Sequence, residues 1–380
     1  MRRNGHRRRS VVVFDSFGGK YSDSPRAVSE ALFRREAPIE HVWGIGRNAG
    51  PVPAYVTAVP PGSPRHLAAL READAIVGND VLPYAFAKAP GATYLQTWHG
   101  TPLKRIAFDV PRPSFPGSKR HYEVDLGRDV ARWDVLLSPN RFSTAILPNA
   151  FRYGGELAET GYPRNDLLLA PERDEIRDRV RARLGIGDGV TAALYLPTWR
   201  DGDYWSLALD PHAIRETLGG SCVLLVRAHG LLAATGAPVE AHPSVRNVTD
   251  YQDLRELYLA ADALVTDYSS AMFDFAVTGK PIVFYVYDLE RYRDELRGFY
   301  FDLVGEAPGP LVRTSEEVAA ALGDLDAVAR RHAGAYARFR DRFCHLDDGR
   351  ASERVADLLL ERLEESPPRR ERAGFSPAAT

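Results

Sequence analysis

The stretch Thr266-Asp267-Tyr268-Ser269-Ser270-Ala271-Met272-Phe273-Asp274-Phe275 follows the apolar run Ala263-Leu264-Val265 and reads as a strand passing into a helix. A helix N-terminus carries partial positive charge and unpartnered backbone N–H groups, so it holds phosphate well. Asp267 and two adjacent hydroxyls, Ser269 and Ser270, stand at that junction. The segment lies late in the chain, after a second strand–helix series has begun. A phosphate seat there suggests a nucleotide-linked donor. The competing reading is a Ser N-cap with nothing bound.

Outward from this junction the chain alternates short apolar runs with longer amphipathic segments. The first series places strands at Val11–Asp15, Ala75–Val77, Thr93–Gln96 and Val135–Leu137. Ser24-Pro25 starts a helix through Leu32, with Pro at a favoured first position. Gly161-Tyr162-Pro163-Arg164-Asn165-Asp166 is turn chemistry, and Pro171–Leu184 a charged helix. The second series places strands at Ala192–Leu196, Cys222–Val226, Ala263–Val265 and Pro281–Tyr285, with helices at Asp253–Ala260 and Ser315–Leu322. Strands alternating with helices imply parallel sheets covered on both faces. The expected fold is therefore α/β, with two Rossmann-like domains whose parallel sheets face across a cleft. The expected division is a basic tail at 1–10, a first domain at 11–168, a second at 169–362 and a disordered tail at 363–380.

Composition narrows the function classes. The chain has 380 residues, enough for two domains, and a formal net charge of −2, which argues against a nucleic-acid binder. The two cysteines, Cys222 and Cys344, have no metal-ligand spacing, so no metal site is expected and a reducing cytoplasm fits. No apolar run approaches the ~20 residues needed to span a bilayer.

Four polar clusters each follow a strand candidate, where α/β sheets bind ligands. In Gln96-Thr97-Trp98-His99-Gly100-Thr101-Pro102-Leu103-Lys104, His99 is the residue type suited to take a proton from a hydroxyl. Gly100, Thr101 and Lys104 are read as the acceptor or phosphate side of that turn. In Pro197-Thr198-Trp199-Arg200-Asp201, Thr198 offers a hydroxyl and Arg200 a bidentate phosphate ligand. Asp201-Gly202-Asp203 matches an Asp-x-Asp metal signature only superficially and reads better as a Gly-containing loop. In Val226-Arg227-Ala228-His229-Gly230, Arg227 and His229 share a face while the chain stays extended, and together suit a pyrophosphate. In the opening stretch, Asp274 lies one helical turn after Ser270 and suits a ribose hydroxyl. Each cluster has a bland alternative, respectively a turn-stabilising His, a surface Arg–Asp pair, a solvated strand end and an exposed helix residue. Gly44-Ile45-Gly46-Arg47-Asn48-Ala49-Gly50 lacks dinucleotide-site spacing, and no P-loop, nucleophile elbow or HExxH sequence occurs.

Taken in order, these clusters resemble the CDP-glycerol glycerophosphotransferase family, which builds poly(glycerol phosphate) in teichoic acids and related capsules. The resemblance also rests on Lys280-Pro281-Ile282-Val283-Phe284-Tyr285, Arg297-Gly298-Phe299-Tyr300, Pro308-Gly309-Pro310 and Asp348-Gly349-Arg350-Ala351-Ser352-Glu353-Arg354, and runs over residues 11–360. It implies a GT-B-like fold with the nucleotide donor in the second domain and the acceptor side in the first. It also implies transfer of glycerol phosphate from CDP-glycerol to a hydroxyl of a lipid-linked polyol-phosphate or glycan acceptor, with release of CMP. His99 and His229 correspond to the family's two motif histidines. Relatives that use CDP-ribitol keep the polyol open, and a nucleotide-sugar glycosyltransferase is the rival on the same fold.

In the expected mechanism His99 is the base. His229, Arg227, Arg200 and the Ser269-Ser270 helix start steady the leaving phosphate without a metal or other cofactor, and the two histidine roles are open to exchange. The chain lacks the long N-terminal extension of the polymerases, so a primase is as open as a polymerase. The basic Arg2–Arg9 stretch is a weak candidate for docking at the inner membrane surface from the cytoplasm.

Overall fold

The computed structural model describes residues 9–47, 49–110, 119–198, 208–227 and 242–365. Seven strands form the first sheet: β1 (Ser10–Asp15), β2 (Ile39–Gly44), β3 (Val56–Val59), β4 (Ala75–Gly78), β5 (Thr93–Gln96), β6 (Val135–Ser138) and β7 (Glu156–Glu159). Their order is β3-β2-β1-β4-β5-β6-β7, and every pairing is parallel. The second sheet holds β8 (Thr191–Leu196), β9 (Cys222–Val226), β10 (Val245–Asn247), β11 (Ala263–Thr266), β12 (Ile282–Tyr285) and β13 (Leu311–Val312). Its order is β10-β9-β8-β11-β12-β13, again parallel throughout. This is the expected pair of doubly wound sheets in a GT-B-like arrangement.

Strands buried on both faces need apolar residues at every position, and alternation decides which core each one enters. Val12 and Phe14 enter one core of the first sheet, and Val13 the other. In β8, Ala192, Leu194 and Leu196 enter one core of the second sheet, while Ala193 and Tyr195 enter its opposite face. Strand order reverses between β1 and β4 in the first sheet and between β8 and β11 in the second. Loops leaving neighbouring strands diverge at such points and open a crevice beyond the strands' carboxyl ends.

Three expectations are corrected. The expected second domain, 169–362, contains helix Ala351–Glu365, whose Val355, Ala356 and Leu359 pack with Val12, Phe14 and Val28 in a core of the first sheet. Asp166 anchors the start of this helix by accepting from Ala351 N at 2.9 Å and Ser352 N at 2.7 Å, where a carboxylate also meets the positive helix end. The chain thus crosses back to the first sheet after leaving the second. The early helix runs Asp23–Arg34, so Pro25 is its third residue and not its first. Finally, β2, β3, β7, β10 and β13 were not expected. β2 hides His41 in a buried run, β7 is the half-exposed edge sequence Glu-Leu-Ala-Glu, and β13 has two residues.

No described helix is long and apolar enough to cross a membrane. The tail at 1–8 and most of that at 363–380 lie outside the described residues.

Candidate active site between the two sheets

A cavity of about 270 Å³ lies where the two crevices meet. Loops after β1, β5, β8, β9 and β11 all reach it, together with the linker that joins the sheets.

His99 enters from β5. Its Nδ1 lies 2.6 Å from the carbonyl oxygen of Asn79, just past β4. A carbonyl can only accept, so Nδ1 carries the proton and neutral His99 keeps Nε2 as a basic lone pair. The ring is packed against Trp98 at 4.0 Å and Phe17 at 5.3 Å between centroids. Trp98 has φ +52°, the left-handed region that a bulky residue rarely occupies, at a cost of about 1–3 kcal/mol. Gln96 holds that turn by accepting from Trp98 N at 2.9 Å and donating to Asp80 O at 3.2 Å.

The β1 loop, Asp15-Ser16-Phe17-Gly18-Gly19-Lys20, supplies Phe17 and Lys20 to the cavity. Gly19 has φ +134°, and a Cβ there would lie 2.9 Å from Gly46 N. The same Asn79 that holds His99 accepts from Phe17 N through its side chain at 3.0 Å, tying the two loops together. Burial pushes the Asp15 carboxyl up to about 7, with Asp80 and Asp129 adding to the shift against a hydrogen bond from Gly18. Among the described residues its Oδ2 is buried without a hydrogen-bond partner and faces the likewise unpartnered His66 Nε2 at 3.9 Å.

The linker contributes Arg164, which bridges Asp23 of the first sheet's side (3.2 Å) and Asp274 of the second (3.0 Å). Its guanidinium also lies over the Tyr162 ring at 4.0 Å. Burial opposes the Arg164 charge, but the two carboxylates more than offset it and hold the group well above its ordinary value. A second bridge joins the sheets where Arg26 meets Asp253 at 3.0 Å. Burial alone would raise the Asp253 carboxyl, but Arg255 and Arg26 bring it down to about 2.

From the second sheet come Arg227, Ser269 and Ser270. Arg227 donates to Tyr251 O at 2.6 Å, and burial lowers its pKa. The helix after β11 is only six residues, Ala271–Ala276. Ser269 Oγ accepts from Ala271 N at 3.3 Å, while the N-cap Ser270 makes no capping bond through its side chain.

The structure therefore brings His99, Arg227, Ser269, Ser270 and Asp274 to one cavity, and gives several of the expected site residues partners within the protein. Asp274 was expected to meet a ribose, but its Oδ1 is taken by Arg164. Asp267 and Thr198 were expected to bind donor, yet they bind each other: Asp267 accepts from Thr198 N at 2.9 Å and Thr198 Oγ1 at 2.6 Å. That clamp joins the loops after β8 and β11. Thr101 is buried and accepts from Asn140 at 3.2 Å. Lys104 bridges through its backbone to Phe299 and does not line the cavity. Gly100 lies against Ser270 on the second sheet's side, where an added Cβ would come within 3.0 Å of the serine Oγ. His229, Arg200, Asp201 and Asp203 lie outside the described residues. Among the described residues no group of three or more His, Cys, Asp or Glu is placed to hold a metal ion.

Sequence reading missed Lys20 and the pairing roles of Arg164, Asp23 and Asp253. Lys20 carried a usable signal, since Gly18-Gly19-Lys20 lies in the loop that follows an apolar strand. Arg164 did not, because its partners are 141 and 110 residues away in the chain.

The profile of the family described as CDP-glycerol:poly(glycerophosphate) glycerophosphotransferase matches residues 1–361. The sequence is 38% identical over 368 residues to the teichoic acid poly(glycerol phosphate) polymerase of Bacillus subtilis (strain 168), covering 93% of this chain and 49% of that protein. It is 38% identical over 369 residues to the teichoic acid glycerol-phosphate transferase of Staphylococcus aureus (strain NCTC 8325 / PS 47), covering 93% of each. The chain thus spans about half the length of the first relative and nearly all of the second. The structure superposes on the wall teichoic acid polymerase TagF, seen there as a histidine-to-asparagine variant soaked with CDPG. The TM-score is 0.87 at 35% identity, over 94% of this chain and 90% of that one.

Proposed function

Because the chain belongs to the CDP-glycerol:poly(glycerophosphate) glycerophosphotransferase family, we propose that it transfers glycerol phosphate from CDP-glycerol to a hydroxyl of a poly(glycerol phosphate) chain or its lipid-linked primer, releasing CMP. The observation that carries this reading is His99. Its Nδ1 is fixed on Asn79 O at 2.6 Å, and its ring lines a cavity enclosed by the ligand-binding ends of both sheets.

The acceptor hydroxyl is a weak nucleophile until its proton has somewhere to go. His99 Nε2 accepts that proton as the acceptor oxygen bonds to the glycerol-side phosphorus. The bond from that phosphorus to the bridging oxygen breaks, and the electron pair leaves with CMP. Charge developing on the leaving phosphate is met by Arg227 and, in this proposal, by His229 and Arg200. Protein cations supply the stabilisation, so no metal is invoked. We place the enzyme at the inner face of the membrane, where a nucleotide donor meets a lipid-linked acceptor.

The test is CMP release from CDP-glycerol and from CDP-ribitol, in EDTA, with a glycerol-phosphate-primed prenyl diphosphate glycan. Primer-dependent release from CDP-glycerol supports the proposal. Release from CDP-ribitol alone would change the polyol, and release only on re-adding a divalent cation would overturn the metal-free route. Turnover of a UDP-sugar instead would replace the reading with a glycosyltransferase.

A further inference from the structure

We propose that Lys20 and Arg227, reaching the cavity from opposite sheets, form a two-cation seat for a phosphate group and so make phosphate binding depend on both halves of the cleft. This deepens the transferase reading and rests on it.

The cavity's other two arginines are already neutralised. Arg164 is paired with Asp23 and Asp274, and Arg255 with Asp253 at 2.6 Å. Among the described residues Lys20 and Arg227 form no ion pair, and the Arg227 guanidinium hydrogen-bonds there to a neutral carbonyl, Tyr251 O. Arg227 is half-buried and Lys20 is exposed where it lines the cavity, and each is pushed towards its neutral form, first by partial loss of water and, for Lys20, also by the charge of Arg227. Like charges that share one cavity oppose one another. A polyanion entering between them removes that opposition and gains charge-assisted hydrogen bonds.

The backbone holds Lys20 in place before any ligand arrives. Lys20 N and Gly19 N both donate to Ser16 O, at 2.8 and 3.1 Å, and Gly46 N donates to Gly19 O at 2.8 Å. Phe17 of the same loop packs on His99, so an anion drawn to Lys20 lies beside the proposed base.

The variants are Lys20→Met, which keeps the side chain's length, and Lys20→Arg, which keeps its charge. Inorganic pyrophosphate is titrated calorimetrically into each full-length protein, with circular dichroism confirming the fold. Wild type should bind, Lys20→Met at least tenfold more weakly and Lys20→Arg within about threefold of wild type. Equal affinity of wild type and Lys20→Met, or no binding by wild type, overturns the seat. CMP-release kinetics then identify the phosphate. A higher KM for CDP-glycerol in Lys20→Met assigns the donor diphosphate, and a higher KM for the primer assigns the acceptor phosphate. Unchanged constants for both would overturn the proposal. Wild type that binds pyrophosphate through Lys20 yet releases no CMP would sink the transferase reading and leave the seat standing.

Discussion

A Cβ on Gly100 would lie 3.0 Å from Oγ and 3.2 Å from Cβ of Ser270. The turn that carries His99 is therefore seated directly on the residue that starts the helix after β11, with space only for hydrogen. This contact sets the spacing of the base from the second sheet. Gly100→Ala should push the turn and Ser270 apart by a few tenths of an ångström. In a site where positioning provides much of the acceleration, kcat/KM should fall about tenfold or more, with a thermal midpoint close to wild type. CMP-release kinetics with scanning calorimetry test this. Unimpaired turnover would show that the contact yields freely.

His99→Ala should lower kcat by a factor of ~100 or more while leaving KM for CDP-glycerol nearly unchanged, since the lost interaction belongs to proton transfer. Steady-state CMP release at saturating primer is the measurement. A near-normal kcat would move the base elsewhere, with His229 the next to test.

Arg164→Met should be among the most destabilising single changes in the cleft. It leaves Asp23 and Asp274 buried without their shared cation, and breaking a buried pair in this way costs about 3–5 kcal/mol. Adding Asp274→Asn should recover part of that loss, because the second change removes one stranded charge. Urea unfolding of both variants gives the comparison, and a loss below about 1 kcal/mol for Arg164→Met would contradict the bridge.

Stability should shift with pH through Asp15. Its folded pKa of about 7 lies above the ordinary value of 3.8. Between those values the folded state keeps a proton that the unfolded state has released. This contribution is full below pH 3.8 and is lost as pH rises through 7. Facing it, His66 is lowered by burial to about 4, so its contribution runs the other way and grows from pH 4 to its ordinary 6.5. Asp15→Asn removes only the first slope. The variant should therefore gain on wild type by about 1.4 kcal/mol per pH unit between pH 4 and 7. Urea titrations across that range test it, and a pH-independent difference would rule out the buried carboxyl as the source.

How much of this was legible beforehand follows from the range of each interaction. The Val12/Val13/Phe14 alternation and the apolar run of β8 are local patterns of period two, readable from a few neighbouring residues. His99 after β5, Arg227 after β9 and Ser269-Ser270 after β11 were found by the same local rule, because ligand loops follow strands in parallel sheets. Helix Ala351–Glu365 was legible as an element, yet its return to the first sheet was not. Its apolar stripe would fit either core, and only packing against Val12 and Phe14 distinguishes them.

By itself, then, the sequence determined the two parallel sheets, the strand ends that bear the polar motifs and the family to which they belong. Tertiary structure alone decided what each polar side chain does. Asp274 meets Arg164 across 110 residues, Asp267 meets Thr198 across 69, and Lys20 shares a cavity with Arg227. Backbone periodicity is a property of neighbours along the chain. Charge pairing and burial depend on distances through space, which are set only when the two sheets come together.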